Sequence, residues 1–168
     1  MKIIMSHAVV RIMKKISLAF VAFTMLAGMS YADVLQDVNR LFELHDKLKP
    51  GMTIEALNEM LGPPAGNHSL GGNASSVTRY AWLHGEMGIE VYEVEGVAYR
   101  VTITLPCENN KNQLRAMDAL TRQGNLKYGS MPKADPSKNE YYWVKDGIRF
   151  AFSRYNQTTV LSSSTRSQ

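Results

Sequence analysis

Two stretches of this chain present the same features in the same order, and that constrains the fold more than anything else in the sequence. Tyr80-Ala81-Trp82-Leu83, a turn, and Gly88-Ile89-Glu90-Val91-Tyr92 are echoed by Tyr141-Tyr142-Trp143-Val144, a turn, and Gly147-Ile148-Arg149-Phe150-Ala151. Gly62 precedes Tyr80 by 18 positions, and Gly124 precedes Tyr141 by 17. Each unit orders as a helix, a Gly stop, a long polar loop and a β-meander. Agreement of several features in order favours a repeat over coincidence. Two such units merge their strands into one antiparallel sheet with helices packed on one face. The expected fold class is therefore α+β, built from two helix-plus-meander units, about 33–105 and 109–162, within a single domain 33–162.

Periodicity and turn chemistry place the elements. Asp33 is expected to cap a first helix whose stripe is Val34, Leu35, Val38, Leu41, Phe42, His45 and Leu48. Pro50-Gly51 breaks it, Thr53 caps a second helix from Ile54 to Leu61, and Met52 with Leu57 stand where a hydrophobic staple would. Gly62 and Pro63-Pro64 stop that helix. The Gly-rich stretch from Ala65 to Ser76 is expected to be a flexible connector. Strands follow at Val77 to His84, Ile89 to Val94 and Val97 to Leu105, the last two joined by Glu95-Gly96. A third helix from Lys111 to Arg122 is expected to bury Leu114, Met117 and Leu120 and to stop at Gly124-Asn125. A long loop then leads to a second meander, with Asp146-Gly147 as its hairpin turn. Residues 163–168 are expected to be a frayed tail. If the units correspond, Trp82 lies under the Leu57 and Leu61 side of its helix, and Trp143 under the Leu114 and Met117 side.

The chain's beginning bears on where it works. Lys14 and Lys15 precede an apolar run from Ile16 to Ala27, and Ser30-Tyr31-Ala32 follows, which is the pattern of a cleavable secretory signal. The run is too short to span a bilayer comfortably. Residues 1–32 are expected to be the signal peptide, cut after Ala32, and the product to be periplasmic. Met13 is an alternative start. Lys2, Arg11, Lys14 and Lys15 account for the whole net charge of +4. Of nineteen basic side chains, fifteen remain beyond the cut, against fifteen acidic ones, so the basic balance is no sign of a nucleic-acid partner. Cys107 is the only cysteine, which excludes an intramolecular disulfide; it is expected to be a partly buried thiol.

Residues that carry chemistry are scattered. His45, His68 and His84 have no metal-ligand spacing. His45 is expected at the edge of the first helix's stripe, as a boundary packing residue. No Gly-x-Ser-x-Gly elbow occurs. Glu90 and Glu93 point to opposite faces of a regular strand and make no carboxylate pair; with Glu95 they are expected to form a solvated strand end. No enzyme activity, cofactor or metal is expected. Aromatic residues on strands are the more informative set. Most should fill the core, but Tyr142 must oppose Tyr141 and Trp143. On an open sheet face Tyr142, Tyr92 and Tyr155 are the candidate partner-binding residues, because exposed aromatic clusters favour protein interfaces.

Leu48-Lys49-Pro50-Gly51-Met52-Thr53, followed by Leu57, Leu61-Gly62-Pro63-Pro64 and Tyr80-Ala81-Trp82, resembles the SmpA/OmlA domain, the family of the small lipoprotein component of outer-membrane β-barrel assembly (BamE). The resemblance covers roughly Leu35 to Leu105 and lies in turns and caps. It implies a non-enzymatic binding module acting by protein–protein contacts in the cell envelope. The wider fold group includes tandem-repeat inhibitors of β-lactamase, which implies the alternative of a secreted or periplasmic inhibitor of a hydrolase. One departure matters. The family's outer-membrane members carry a lipidated cysteine after a Leu-Ala-Gly type motif, whereas Met29 follows Leu26-Ala27-Gly28 here. No stable lipid anchor is therefore expected, and the partner is an envelope protein of unspecified identity.

Overall fold

The computed structural model of the chain describes residues 32–70, 77–156 and 158–165. Apart from Ala32 the expected leader lies outside these residues, as do the Gly71-Gly72-Asn73 part of the expected connector and residues 166–168 of the expected tail. Helix α1 covers residues 32–47. Val38, Leu41, Phe42, His45 and Leu48 are buried along its stripe, and Val34 and Leu35 pack against the same core. Ala32 is already helical, so Asp33 stands inside α1 rather than ahead of it as a cap.

The turn after α1 is tied to the sheet. Gly51 adopts φ +97°, a conformation that favours glycine. Its N–H donates to the Ala98 carbonyl at 2.7 Å, and the Ala98 N–H donates to Met52 at 2.9 Å. Helix α2 (Ile54–Leu61) begins where the cap requires, with Thr53 Oγ1 accepting from the Ala56 N–H at 3.3 Å. It ends at Gly62, whose N–H donates back to Asn58 at 2.8 Å.

Eight strands form one sheet: β1 (Gly66–Leu70), β2 (Val77–His84), β3 (Met87–Val94), β4 (Val97–Pro106), β5 (Lys133–Asp135), β6 (Glu140–Lys145), β7 (Ile148–Tyr155) and β8 (Thr158–Ser164), with helix α3 (Asn110–Tyr128) between β4 and β5. Their order is β1-β2-β3-β4-β8-β7-β6-β5, antiparallel throughout. Two four-stranded meanders thus lie side by side, joined where β4 meets β8. Glu95-Gly96 and Asp146-Gly147 take positive φ at both positions, +57° and +84°, then +54° and +74°. That is the twist-matched hairpin geometry their sequences favour.

Two expected loops contain the sheet's edges. β1 lies within the stretch read as a connector, and β5 within the loop before β6. All five β1 residues are exposed, so its ladder with β2 holds it and no buried side-chain pattern marks it. β8 likewise runs through Ser163 and Ser164, read from the sequence as tail. Strands on both sides hold it in place.

The register assigns the faces. Trp82, Ile89, Ile103, Leu161, Phe152 and Tyr141 form one row across the sheet, and Trp143 shares that face, two residues from Tyr141. Trp82, Ile89, Ile103, Leu161, Phe152 and Trp143 join the buried residues of α1, α2 and α3 in one core, while Tyr141 at the end of the row is half exposed. The fold is α+β, with the helices packed on one face of the antiparallel sheet.

The two tryptophans serve their helices in the same way. Trp82 Nε1 donates to the Gly62 carbonyl at 2.9 Å, and Trp143 Nε1 donates to the Ser130 carbonyl at 2.8 Å. Each buried indole N–H thereby meets a carbonyl at or just past a helix C-terminus, where such groups lack partners within the helix. The detail at Trp143 differs from expectation. α3 does not stop at Gly124 but continues to Tyr128 and is capped by Gly129 in the left-handed region, φ +74°. Leu114 is half exposed rather than buried. Trp143 lies instead against Gly124, whose missing side chain is what admits the ring: a Cβ there would stand 2.2 Å from Trp143 Cη2.

Two polar residues also depart from expectation. His45 is not at the stripe's edge but 2 % exposed, its ring edge-on to Phe150 at 5.6 Å between centroids. Glu93 is buried and accepts from the Gly96 N–H, closing the β3–β4 turn from inside. It is no solvated strand end.

Candidate functional site

The sheet's other face carries none of the three helices. Outward positions follow from the same register: Tyr92, Arg100, Ser164 and Arg149 form one row, and Glu90, Thr102, Ser162, Ala151, Tyr142 and Lys133 form the next. All three candidate tyrosines point to this face. They do not form one cluster. Tyr92 and Tyr142 stand four strand spacings apart, about 19 Å, and Tyr155 lies four residues along β7 from the partner of Tyr142, about 13 Å.

Each of the two inner tyrosines is built into a polar ledge. Arg100 lies over the Tyr92 ring, 5.4 Å from its centroid. Tyr92 Oη donates to Glu90 at 3.0 Å, and Arg79 stands 3.6 Å from the same carboxylate. Burial, and then the Glu90 charge, hold the Tyr92 phenol above its ordinary pKa, so it remains a donor. In the second unit Arg149 stacks 3.7 Å from the Tyr142 centroid. Its guanidinium also donates to Glu140 and, at 3.1 Å, to Asp135. A desolvated Arg–aromatic stack is worth about 2 kcal/mol, enough to fix Tyr142 in one orientation. Tyr155 differs: it ends β7 with 73 % of its surface exposed.

Between the ledges the floor is made of small side chains, Thr102, Ala151, Ser162 and Ser164. The dip above it has a volume of only about 20 Å³, far below the roughly 300–1,000 Å³ of small-molecule sites. The face is broad, shallow and edged by aromatic and arginine side chains, a composition typical of protein interfaces. The sequence picks out the tyrosines through their outward parity. Arg100 and Arg149 escape notice there, although each shares a face with its tyrosine in the same alternation, because their pairing depends on register between strands.

Other chemistry is dispersed. Among the described residues no group of three or more His, Cys, Asp or Glu side chains is placed to hold a metal ion, and no helix is long and apolar enough to cross a membrane. Cys107 is half-buried, its Sγ 3.5 Å from Thr159 Oγ1. Comparison of the chain with family models, with curated proteins and with solved structures returns no match.

Proposed function

We propose that this chain is a non-enzymatic periplasmic binding module that acts through protein–protein contacts in the cell envelope, using the face of its sheet opposite α1, α2 and α3. The observation that carries the reading is the pair of tyrosine–arginine ledges, Tyr92 with Arg100 and Tyr142 with Arg149, flanking a floor too shallow for a small molecule. Rigid aromatic anchors with adjacent guanidinium groups are the side chains that concentrate binding energy at interfaces. The resemblance of Leu48 to Thr53 and of Leu61 to Pro64 to the SmpA/OmlA domain supports the envelope setting, and the leader pattern supports export.

A second reading is an inhibitor of a hydrolase such as a β-lactamase. The specific observation in its favour is the doubled sheet, two four-stranded meanders presenting one continuous face. Co-purification from the periplasm separates the two. Recovery of barrel-assembly components supports the first, and capture of a single hydrolase supports the second. Tyr155→Ala should lose the captured partner while keeping the thermal midpoint, and Tyr142→Ala should lose it while also giving up the stability of the Arg149 stack, about 2 kcal/mol. Full retention of the partner by both variants, or turnover by the pure protein, overturns the proposal.

A further inference from the structure

On the helical side, away from the tyrosine face, a pocket of about 240 Å³ opens between the C-terminal ends of α1 and α3 and the β6–β7 turn. Its apolar wall comes from Phe150, Ile148 and Pro50, and its charged rim from Lys49, Lys127 and Lys145. His45 and Tyr128 complete the lining. Both imidazole nitrogens of His45 and the Tyr128 hydroxyl are buried with no protein hydrogen-bond partner. The two rings are fixed by Phe150, which Tyr128 stacks upon at 4.7 Å and His45 meets edge-on.

The hydrogen-bonding chemistry of this lining is one-sided. Lysine ammonium groups are donors only, Tyr128 has a hydroxyl proton to give, and neutral His45 carries one N–H beside one acceptor nitrogen. Asp46 is engaged by Lys127, which leaves Asp146 of the turn as the other acidic side chain in the wall. Lysines at helix ends ordinarily complement the helix dipole, but Lys145 comes from the hairpin and adds positive charge that no helix end calls for. Burial, and then Lys145, lower the pKa of Lys127; burial, Lys127 and Lys49 lower that of His45. Three ammonium groups thus face two carboxylates in this lining, and donor hydrogens outnumber acceptor atoms.

We infer that this pocket is a binding site for a small organic carboxylate with an aromatic or short apolar body, its carboxylate held by Lys49, Lys127 and Lys145 and its body set against Phe150 and Ile148. The volume lies below the roughly 300–1,000 Å³ of drug-sized ligands, which limits the occupant to a small acid. The site does not depend on the partner-binding role of the opposite face.

Benzoate titrated into the full chain, followed by side-chain NMR of His45, Tyr128 and the lysines, tests this. Benzamide, which keeps the ring without the charge, and inorganic phosphate, which keeps charge without the ring, are the two controls. Saturable shifts at His45 and Tyr128 with benzoate, and binding about tenfold weaker with either control, are expected. Lys145→Gln, on an exposed turn flank, should weaken benzoate about tenfold and leave the fold intact. Tyr128→Phe should weaken it too without lowering the thermal midpoint. Absence of saturable benzoate shifts, equal binding of benzamide, or equal binding of phosphate each overturns the inference.

Discussion

Gly124→Ala should destabilise this protein, although the same change inside an ordinary helix stabilises it. Alanine is favoured over glycine in a helix interior by about 1 kcal/mol. Here the new Cβ would stand 2.2, 2.5 and 2.8 Å from three carbons of the Trp143 ring, where carbon atoms normally rest about 3.5–4.0 Å apart. The ring cannot swing aside freely. It stacks on Phe152 at 5.1 Å and tilts against Tyr128 at 5.2 Å, and its N–H is held by Ser130 at 2.8 Å. Overpacking costs about 1–3 kcal/mol, and a buried N–H pulled off its acceptor about 1–3 kcal/mol more. Set against the propensity gain, the net loss should be about 3 kcal/mol. Urea denaturation monitored by tryptophan fluorescence measures it. In a Trp143→Phe background, which removes the offending ring carbons, the same alanine should cost at least about 1 kcal/mol less, a coupling that a double-mutant cycle reads directly. A Gly124→Ala protein as stable as the parent, or more so, refutes this account of how α3 meets the sheet.

Three further outcomes are expected. His45 in the fold has its pKa lowered to about 4 from 6.5 by burial, helped by Lys127 and Lys49. The folded state therefore resists a proton that the unfolded chain accepts, stability is complete above pH 6.5, and it should fall by about 3 kcal/mol as pH drops toward 4; urea midpoints of wild type and His45→Phe across that range should diverge in slope, and parallel slopes would exclude the mechanism. Thr53→Ala removes the acceptor for the Ala56 N–H and should cost about 0.5–2 kcal/mol, read as a shifted denaturation midpoint. Mass spectrometry of the periplasmic fraction should find Asp33 first, and a retained leader or lipid-modified terminus would exclude the proposed cut after Ala32.

What the sequence discloses follows from where the physical signal is local. The α1 stripe, the Thr53 cap, Gly62 and the Glu95-Gly96 and Asp146-Gly147 turns are each written in a few adjacent residues, and each stands where its chemistry requires. β1 and β5 are held by backbone ladders at the sheet's edges, with no side chains alternating into a core, so composition alone presents them as loops. The last turn of α3 is hidden for another reason. Gly124 looks like a stop locally, and only contact with Trp143, nineteen residues on, makes it a helix-interior glycine. The outward tyrosines are visible from alternation. Their arginine partners, the depth of His45 and the one-sided lining around it arise from register and helix packing, which no single segment encodes.

The order β1-β2-β3-β4-β8-β7-β6-β5 has a consequence in time. β4 lies at the middle of the sheet, yet its second neighbour is the last strand of the chain. As the chain is delivered with its N-terminus first, β1 to β4 arrive before β8 does. Throughout that interval β4 offers a bare row of N–H and C=O groups beside Val101, Ile103 and Leu105, the kind of edge on which foreign strands accumulate. Neither rim of the finished sheet is so apolar, since β1 is exposed at every position and β5 has only three residues. The hazard belongs to nascent and truncated chains, and the closing seven-residue strand removes it. A product ending before Thr158 would keep that sticky edge for good and should aggregate even with its first meander intact.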